Sequence, residues 1–403
     1  MRSGALSHVR VLDLSRVLAG PWASQLLADL GAEVVKIERP GTGDETRGWG
    51  PPWLTTPDGV ETRESAYFAC TNRGKKSVTV DLSRPEGQAI VRRLAARSDV
   101  LLENFKVGSL SRLGLGWEDL SPLNPRLVYC SITGFGQSGP YKDRPGYDFV
   151  VQAMGGLMSV TGQPDGEPMK AGVAMTDILT GMYVATAVLG ALAHRERTGE
   201  GQRVDLALLD VQVATLANLA ENYLVTGRPP DRHGNAHASI VPYQSFATQD
   251  GYLVVAVGND GQFARLCEVA ARPELALDPR FATNAARVEN RAVLVPILQA
   301  LLLGRSAQDW VGVLEGAGVP CGPINDLSQV FEDPHVQSRG LRVEVSHPLA
   351  GSVPVVASPI RLSRTPVRHG TPPLLGEHTR AVLGDVLGLS EAEIDALRRE
   401  KVI

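Results

Sequence analysis

Cysteine is scarce in this sequence of 403 residues, which holds only Cys70, Cys130, Cys267 and Cys321. These residues are scattered and no two form a CxxC pair, so the pattern predicts neither a disulfide framework nor a structural zinc site. We expect reduced thiols and a cytoplasmic protein, and no set of metal ligands stands out.

The sequence also lacks a strong excess of charge and a long apolar segment. A formal net charge of −4 gives no general attraction to nucleic acids or anionic membranes, so local arginines and lysines must hold any anionic ligand. The start, MRSGALSHVRVLDLS, reaches a strand-like run without the apolar region of a secretory signal. The apolar run Val184 to Ala193 is far shorter than the roughly 20 residues that cross a bilayer. We therefore predict no nucleic-acid partner and no membrane partner.

A regular alternation of strand and helix patterns is present instead. VRVLDLS has the continuous apolar character of a buried strand, PWASQLLADLGA has helical spacing, and EVVKIE is predicted as a second strand. Strand, helix and strand within about 30 residues form a right-handed βαβ unit with parallel strands. Because the pattern recurs as far as GQRVDLALLD, it predicts an α/β fold built on an open, Rossmann-like parallel sheet.

The length of the chain and its turn-rich stretches predict more than one domain. We expect a large domain over residues 1–200 and a linker over 201–230, with a long helix from Asp210 to Val225 and the turn formers TGRPPDRHGNAH. A smaller α/β domain is predicted over residues 231–323, ending near GVPCGPIND.

The loop after the first strand, SRVLAGPWAS, is a candidate ligand site. Doubly wound sheets bind phosphates at the carboxyl end of a strand, where a helix N-terminus lies behind the loop. Only Gly20 is present, so the GxGxxG fingerprint of NAD-binding proteins is missing. Glu38 closes the second strand as an NAD-binding acid does, but Arg39 follows it directly. These features favour a nucleotide-like ligand other than NAD.

Two further segments carry groups suited to phosphates. Lys75 lies in the cationic turn of NRGKKSVTVDL, which we expect on the same edge of the sheet as the first loop, although a solvated surface turn explains it as well. In ENFKVGSLSRLGLG, Asn104 and Phe105 offer an amide and a stacking face, and Arg112 offers another cation. Phe105 is equally compatible with a place in the core.

Asp177 is the only charged residue in GVAMTDILTGMYVATAVLGALA, which predicts a buried helix. One interpretation is a helix N-cap, whose carboxylate accepts backbone N–H bonds. The other is a nucleophile, because a poorly hydrated carboxylate attacks activated acyl groups. We expect the carboxylate to be ionised at neutral pH, since the helix dipole favours the anion. The two interpretations are compatible.

These segments resemble the class III CoA-transferases, the formyl-CoA and carnitine-CoA transferase family. The likeness covers about residues 8–400 and is most specific in LDLSRVLAGPWASQLLADLGAEVVKIERPGTGDETRGWGPP, FACTNRGKKSVTVDL, VLLENFKVGSLSRLGLG and GQPDGEPMKAGVAMTDILTGMY. The resemblance implies that Asp177 attacks an acyl-CoA thioester to give a mixed anhydride, and that CoA thiolate returns to form an aspartyl-CoA thioester. CoA is then a substrate, and no metal or prosthetic group is needed.

Carried over by position, the family's CoA contacts fall on Val17, Ala19, Arg39, Lys75, Asn104, Phe105 and Arg112. The formyl-CoA branch has a glutamine where this chain has Leu18 and a lysine near the position of Pro145. It has a glycine-rich flap where this chain has GNDGQF. Its acceptor pocket is therefore not expected to be that of an oxalate enzyme.

The stretches RHGNAHASIVPYQSFATQDGYLVVAVGNDGQFARLC and MKAGVAMTD look most like the dicarboxylate branch, typified by succinyl-CoA:glutarate CoA-transferase. That branch implies transfer of CoA from succinyl-CoA to a short dicarboxylic acid such as glutarate. Substrate-side groups are expected at Tyr147 and Asp148, in PGYDFVVQ. Candidate donors to the distal carboxylate of the substrate are Arg47, Arg232, His233 and His237.

The resemblance also implies an interlocked homodimer, in which residues 324–403 return to complete the large domain. An acyl-CoA racemase on the same fold is the alternative enzyme; it moves an α-proton with an acid–base pair, typically His with Asp, and no histidine lies close in sequence to Asp177. A third interpretation is a CoA-binding protein without activity, in which Asp177 only caps a helix.

Overall fold

The computed structural model describes residues 4–403. Its strands are β1 Arg10–Asp13, β2 Glu33–Glu38, β3 Trp53–Thr55, β4 Glu61–Ser65, β5 Lys75–Thr79, β6 Val100–Glu103, β7 Val128–Thr133, β8 Gln202–Ala207, β9 Tyr243–Ala247, β10 Tyr252–Ala256, β11 Cys321–Pro323, β12 Arg342–His347 and β13 Gly351–Val356. Its helices are α1 Ala19–Asp29, α2 Ala66–Asn72, α3 Pro85–Ala95, α4 Trp117–Leu120, α5 Asp148–Met154, α6 Leu157–Val160, α7 Met175–Thr198, α8 Leu208–Ala214, α9 Ala217–Thr226, α10 Asp260–Val269, α11 Glu274–Leu277, α12 Asn284–Glu289, α13 Arg291–Leu302, α14 Ala307–Gly316, α15 Leu327–Glu332, α16 Pro334–Ser338, α17 Thr379–Leu387 and α18 Glu391–Arg399.

Six strands form one parallel sheet in the order β5-β2-β1-β6-β7-β8. Counted along the chain, these six strands have the 3-2-1-4-5-6 order of the Rossmann fold. The predicted α/β fold with an open parallel sheet is confirmed. The strand order reverses between β1 and β6, so the loops after these two strands flank a crevice, which is where such sheets bind ligands.

Both faces of this sheet are covered, which explains why the inner strands β1, β2, β6 and β7 are buried almost throughout. On one face, Leu12 and Val78 pack with residues of α3, α17 and α18. On the other face, Val11 and Leu102 pack with α1 and α7. All six residues of β2 are buried, as the continuous run EVVKIE predicts.

Helix α7 is longer than the apolar run Val184 to Ala193 indicates. It has 24 residues and a mean hydropathy of 1.4, so length and composition alone would allow it to cross a membrane. In this structure Val184 and Val188 of α7 are fully buried against the sheet and α1. Because core helices of soluble proteins have the same length and composition, this helix is explained by its packing.

The chain divides into two compact units. The first contains the residues up to Leu157, Ala171–Glu221 and His335–Ile403, and it includes the six-stranded sheet. The second contains Met158–Lys170 and Asn222–Pro334. Its antiparallel sheet, β11-β10-β9, shares a core with helices α10 to α14.

The prediction of one long helix from Asp210 to Val225 is wrong. The segment forms two helices, α8 and α9, separated at residues 215–216. Ala217 has a φ of 46°, in the left-handed region. A right-handed helix needs a φ near −60° at every residue, so α8 and α9 cannot form one continuous helix through Ala217.

Candidate active site

The loop between β1 and α1 is held in an unusual backbone conformation. Val17 has a φ of 69°, which a β-branched residue rarely adopts. Its N–H donates to both carboxylate oxygens of Asp44 at 3.3 Å. On the other side, the N–H of Arg16 donates to Asn104 Oδ1 at 3.0 Å, and Asn104 Nδ2 donates to the Arg16 carbonyl at 2.8 Å. The loop is therefore fixed from two sides of the crevice.

A buried ion pair between β2 and Asp44 also holds this loop in place. Lys36, on β2, and Asp44 are both fully buried, and Lys36 Nζ donates to Asp44 Oδ2 at 2.9 Å and to the Ser15 carbonyl at 2.8 Å. Burial acts to lower the pKa of Lys36, but the carboxylates of Asp44 and Asp13 hold it above its ordinary value. Burial acts to raise the pKa of Asp44, but Lys36 brings it down to about 2. Both partners are therefore charged at neutral pH.

Asp177 is the third residue of α7, so the N-cap interpretation is wrong; Ala174 is in the N-cap position. One turn later, Gly181 lies on the same helix face as Asp177. A Cβ at Gly181 would lie 2.7 Å from the Ala19 carbonyl oxygen, so only glycine lets α7 approach the start of α1 this closely. This contact brings Asp177 to the first loop.

A second carboxylate lies beside Asp177. The N–H of Asp177 donates to Asp148 Oδ1 at 3.2 Å, and Gln152 Nε2 donates to Asp148 Oδ2 at 2.6 Å. Burial, and to a smaller extent the charge of Asp148, raise the pKa of Asp177 to about 7. The structure contradicts the expectation of an ionised group at neutral pH, because desolvation and the charge of Asp148 both disfavour the anion. The group is a poorly hydrated carboxylate that titrates near neutrality.

Asp177 lines a cavity of about 240 Å³ at the crevice, here called the first cavity. Its walls also include Leu18 and Ala19 of the first loop, residues 104–107 after β6, and residues 142–147 after β7. Helix α1 begins at Ala19 without a side-chain cap. Its first N–H groups therefore make this part of the wall favourable for an anion or a developing oxyanion.

A second cavity, of about 960 Å³, adjoins the first. The two share Arg16, Glu45, Trp49 and Phe105 in their walls. The second cavity is lined by Arg39 after β2 and by residues 80–83 after β5. Together the cavities extend along the carboxyl edge of the sheet from β5 to β7, so they suit a long ligand with an anionic part and a reactive end.

Most of the predicted site residues come together here. The first cavity is lined by Val17, Ala19, Asn104, Phe105, Tyr147 and Asp177. Arg39 lines the second cavity. Arg112 is exposed, donates from Nη2 to Ser109 Oγ at 3.1 Å, and lines neither. No group of three or more His, Cys, Asp or Glu side chains among residues 4–403 is arranged to hold a metal ion.

The prediction that the cationic turn with Lys75 lies on the ligand edge is wrong. The turn precedes β5, so it lies at the amino edge of the sheet, opposite the crevice. Lys75 Nζ is fully buried, 3.3 Å from Asp13 Oδ2 and 2.8 Å from Asn72 Oδ1. Arg73 pairs with Asp29 at 2.5 Å. Burial lowers the pKa of Lys75 to about 7, although Asp13 acts in the opposite direction. The side chains of Lys75 and Arg73 both contact buried carboxylates instead of facing a phosphate.

The prediction that Arg47 binds the distal carboxylate of the substrate is wrong, because its guanidinium already has partners. It is buried, and its Nε and Nη2 donate to the two carboxylate oxygens of Glu38 at 2.7 and 2.8 Å. Its guanidinium also stacks on Phe68, 3.7 Å from the ring centroid. This ion pair accounts for Glu38 at the end of β2, so no ribose ligand is needed to explain the acid at that position.

The remaining candidate donors belong to the second unit. Arg232 Nη2 donates to the Gly166 carbonyl at 2.8 Å, within that unit. The His237 and Tyr243 rings lie 5.4 Å apart between centroids. Contacts of Arg232, His233 and His237 with substrate stay predictions.

Several residues of the two cavities were not selected from the sequence: Arg16, Trp49, Lys106, Lys142, Arg144 and residues 80–83. Residues 80–83 directly follow β5, so the rule that ligands bind at carboxyl ends of strands points to them once the strand is placed. The other positions depend on loop conformation, which periodicity does not reveal.

The Rossmann-type sheet has a carboxylate, Asp177, in the wall of a crevice at the carboxyl edge of its strands. A fold of this kind hosts many activities, so comparison with known proteins is needed to give the class of this protein. The sequence profile described as CoA-transferase family III matches residues 6–379, and the chain belongs to this family. The predicted family and the assignment as an enzyme are confirmed.

Individual relatives agree with this class. The chain is 52% identical to a succinate–glutarate CoA-transferase of Agrobacterium fabrum, over 96% of both chains. It is 48% identical to succinyl-CoA:glutarate CoA-transferase of Mus musculus, over 99% of this chain and 90% of the relative. The crystal structure of a CAIB/BAIF family protein from Brucella suis matches with a TM-score of 0.85 and 47% identity, over 96% of this chain and 100% of the other.

Proposed function

We propose that the chain transfers CoA from succinyl-CoA to a short dicarboxylic acid such as glutarate, with Asp177 as the nucleophile. The observation that carries the proposal is the Asp177 carboxylate in the wall of the cavity that the first loop and Asn104 also line. The names of relatives at 52% and 48% identity support succinate and glutarate as the exchanged acids.

The proposed exchange needs four acyl transfers. Asp177 attacks the succinyl-CoA carbonyl carbon, the C–S bond breaks, and a mixed anhydride and CoA thiolate form. The thiolate attacks the Asp177 carbonyl carbon, which releases succinate and leaves an aspartyl-CoA thioester. Glutarate then attacks this thioester, and a second anhydride and thiolate form. The thiolate attacks the glutaryl carbonyl carbon, which releases glutaryl-CoA and restores the Asp177 carboxylate.

The two cavities suit the two ends of succinyl-CoA. The second cavity is the larger, and Arg39 in its wall is a donor for the nucleotide phosphates. Phe105 borders both cavities and is a surface for the pantetheine arm at their junction. In the first cavity, the N–H groups at the start of α1 are suited to stabilise the oxyanion of each tetrahedral intermediate.

Chemical trapping of the acylated aspartate tests the proposal. The protein is incubated with succinyl-CoA and quenched with hydroxylamine, and the peptide that holds Asp177 is examined by mass spectrometry. We expect a hydroxamate on Asp177 in the wild type and none in Asp177→Asn. The control is Asp385→Asn, at an exposed position on α17, and this variant should still form the hydroxamate on Asp177. Full turnover of Asp177→Asn would refute the proposal. An acceptor screen that includes mesaconate and citramalate then ranks the dicarboxylates.

A racemase needs an acid–base pair at the substrate α-carbon. Among the residues that the structure describes in the first unit, no histidine lines the first cavity, which favours transfer over racemisation. Exchange of an α-hydrogen for deuterium in heavy water, without an acceptor acid, would instead support the racemase.

We also propose that the protein acts as an interlocked homodimer in the cytoplasm. Met182, Tyr183 and Leu189 on α7 are 50%, 44% and 38% exposed in the single chain, and a second copy would cover them. The four cysteines, all free, are consistent with a reducing compartment. Light scattering at micromolar concentration is expected to give twice the chain mass.

A further inference from the structure

Four cationic side chains line the first cavity: Arg16, Lys106, Lys142 and Arg144. Arg16 is already engaged, because it forms an ion pair with Glu45 and lies 5.1 Å from the centre of the Phe105 ring. It also borders the second cavity, on the side assigned to CoA. A dicarboxylate needs a different cation for the carboxylate that does not react.

Arg144 lies on a loop whose ends are tied together. The loop, residues 134–146, follows β7, and the backbones of Gly134 and Gly146 touch: a Cβ at Gly146 would lie 2.4 Å from Gly134 Cα. Arg144 is two residues before this closure and four residues before Asp148, which accepts the N–H of Asp177. Four residues span at most about 14 Å. The arginine is therefore attached close to the nucleophile.

The Arg144 side chain is supported but has free donors. Its guanidinium carbon lies 3.8 Å from the centre of the Tyr141 ring, and that ring is edge-on to Phe135 at 5.8 Å between centroids. Across residues 4–403, the Arg144 side chain makes no hydrogen bond or ion pair. A guanidinium held by stacking presents a planar set of N–H groups that matches a carboxylate in bidentate geometry. Lys142, on the same loop, has only a flexible ammonium group.

We propose that Arg144 binds the distal carboxylate of the dicarboxylic acid and so determines the preference for dicarboxylic over monocarboxylic acids. This proposal rests on the proposed function. One carboxylate of the acid reacts at Asp177, and the chain of a short dicarboxylate carries the other toward the loop. Tyr141 acts through Arg144, as a positioning residue that limits the orientations of the guanidinium.

Competition between two acceptors tests the assignment. Succinyl-CoA is offered with glutarate and butyrate together, and mass spectrometry measures the ratio of glutaryl-CoA to butyryl-CoA. Both acids react with the same enzyme intermediate, so the donor does not affect this ratio. We expect Arg144→Met to lower the ratio about tenfold to a hundredfold, since a charged hydrogen-bonding pair is lost. Arg144→Lys is expected to keep part of the preference, and Tyr141→Leu to lose part of it.

Arg305→Met is the matched control, because Arg305 is also an exposed arginine stacked on an aromatic ring, that of Trp310, but lines neither cavity. Its ratio should equal that of the wild type. An unchanged ratio in Arg144→Met, or a larger fall in Lys142→Met, would overturn the assignment while leaving the transferase intact. A wild-type protein that forms no product thioester with any acid would instead refute the proposed function, and the Arg144 assignment with it.

Discussion

Replacing Asp177 with asparagine is expected to stabilise the folded protein while it abolishes transfer. The carboxylate has a neighbour of the same charge, Asp148, and lies in a partly buried wall. Burial and this neighbour raise the pKa of Asp177 from 3.8 to about 7. Asparagine has nearly the same shape and carries no charge, so it removes the unfavourable burial of an anion.

The size of the effect follows from proton linkage. A rise from 3.8 to about 7 corresponds to about 4 kcal/mol at 1.36 kcal/mol per pH unit. Solvent reaches part of this side chain, so about half of that, ~2 kcal/mol, is the expected gain for Asp177→Asn above pH 7. The folded carboxyl group binds its proton more tightly than the unfolded one. The stability of the wild type relative to Asp177→Asn therefore falls as the pH rises from about 3.8 to about 7, and is level above it.

Thermal unfolding measured at two pH values checks this reasoning. At pH 8 the Tm of Asp177→Asn should exceed that of the wild type by about 2–4 °C, at roughly 1–2 °C per kcal/mol for a chain of this length. At pH 5 the difference should be about a third as large. Asp385→Asn is the control, because Asp385 is exposed on α17 and makes no side-chain hydrogen bond or ion pair within residues 4–403. A Tm of Asp177→Asn that equals or falls below the wild-type value at pH 8 would refute the argument.

Three further outcomes are expected. The kcat/KM for succinyl-CoA should rise with pH and level off above about 7, because only ionised Asp177 attacks the thioester. Asp148→Asn should move the midpoint of this profile to lower pH, because it removes the neighbouring charge. An unmoved midpoint would exclude coupling between the two carboxylates. Asn104→Ala removes both hydrogen bonds to Arg16 and should raise the KM for succinyl-CoA about tenfold in steady-state assays, whereas an unchanged KM would show that the loop holds without them. Lys75→Met removes the ammonium group beside Asp13 and should lower the free energy of unfolding by about 3–5 kcal/mol in a denaturant titration at about pH 6, below the pKa of about 7 that burial gives Lys75. Wild-type stability of the variant at that pH would contradict the buried pair.

The sheet was predictable because its strands are buried on both faces. Two strand patterns with a helix between them, as in β1, α1 and β2, leave few arrangements other than parallel pairing. The break between α8 and α9 was not predictable in the same way. It depends on a single left-handed residue, Ala217, whose side chain carries no turn signal.

Asp177 and the first loop, which line the same cavity, could be predicted from the sequence because the chemistry of a lone carboxylate and the position of a strand end are local properties. The roles of Arg47 and Lys75 were not, because their partners are set by tertiary contacts: Glu38 is nine residues from Arg47, and Asp13 is 62 residues from Lys75. A sequence shows that a cation is present, but only the fold shows which carboxylate already neutralises it.

The first loop is fixed by Asp44, which accepts from Val17, and by Asn104, which bonds to Arg16, and this has a consequence for the cost of binding. Flexible loops lose conformational entropy each time a ligand orders them, and this loss weakens affinity. Here the buried Lys36 salt bridge orders the loop during folding, so the entropy is lost once in the lifetime of the molecule. An enzyme that binds a CoA thioester as its substrate avoids repeating that loss at each turnover.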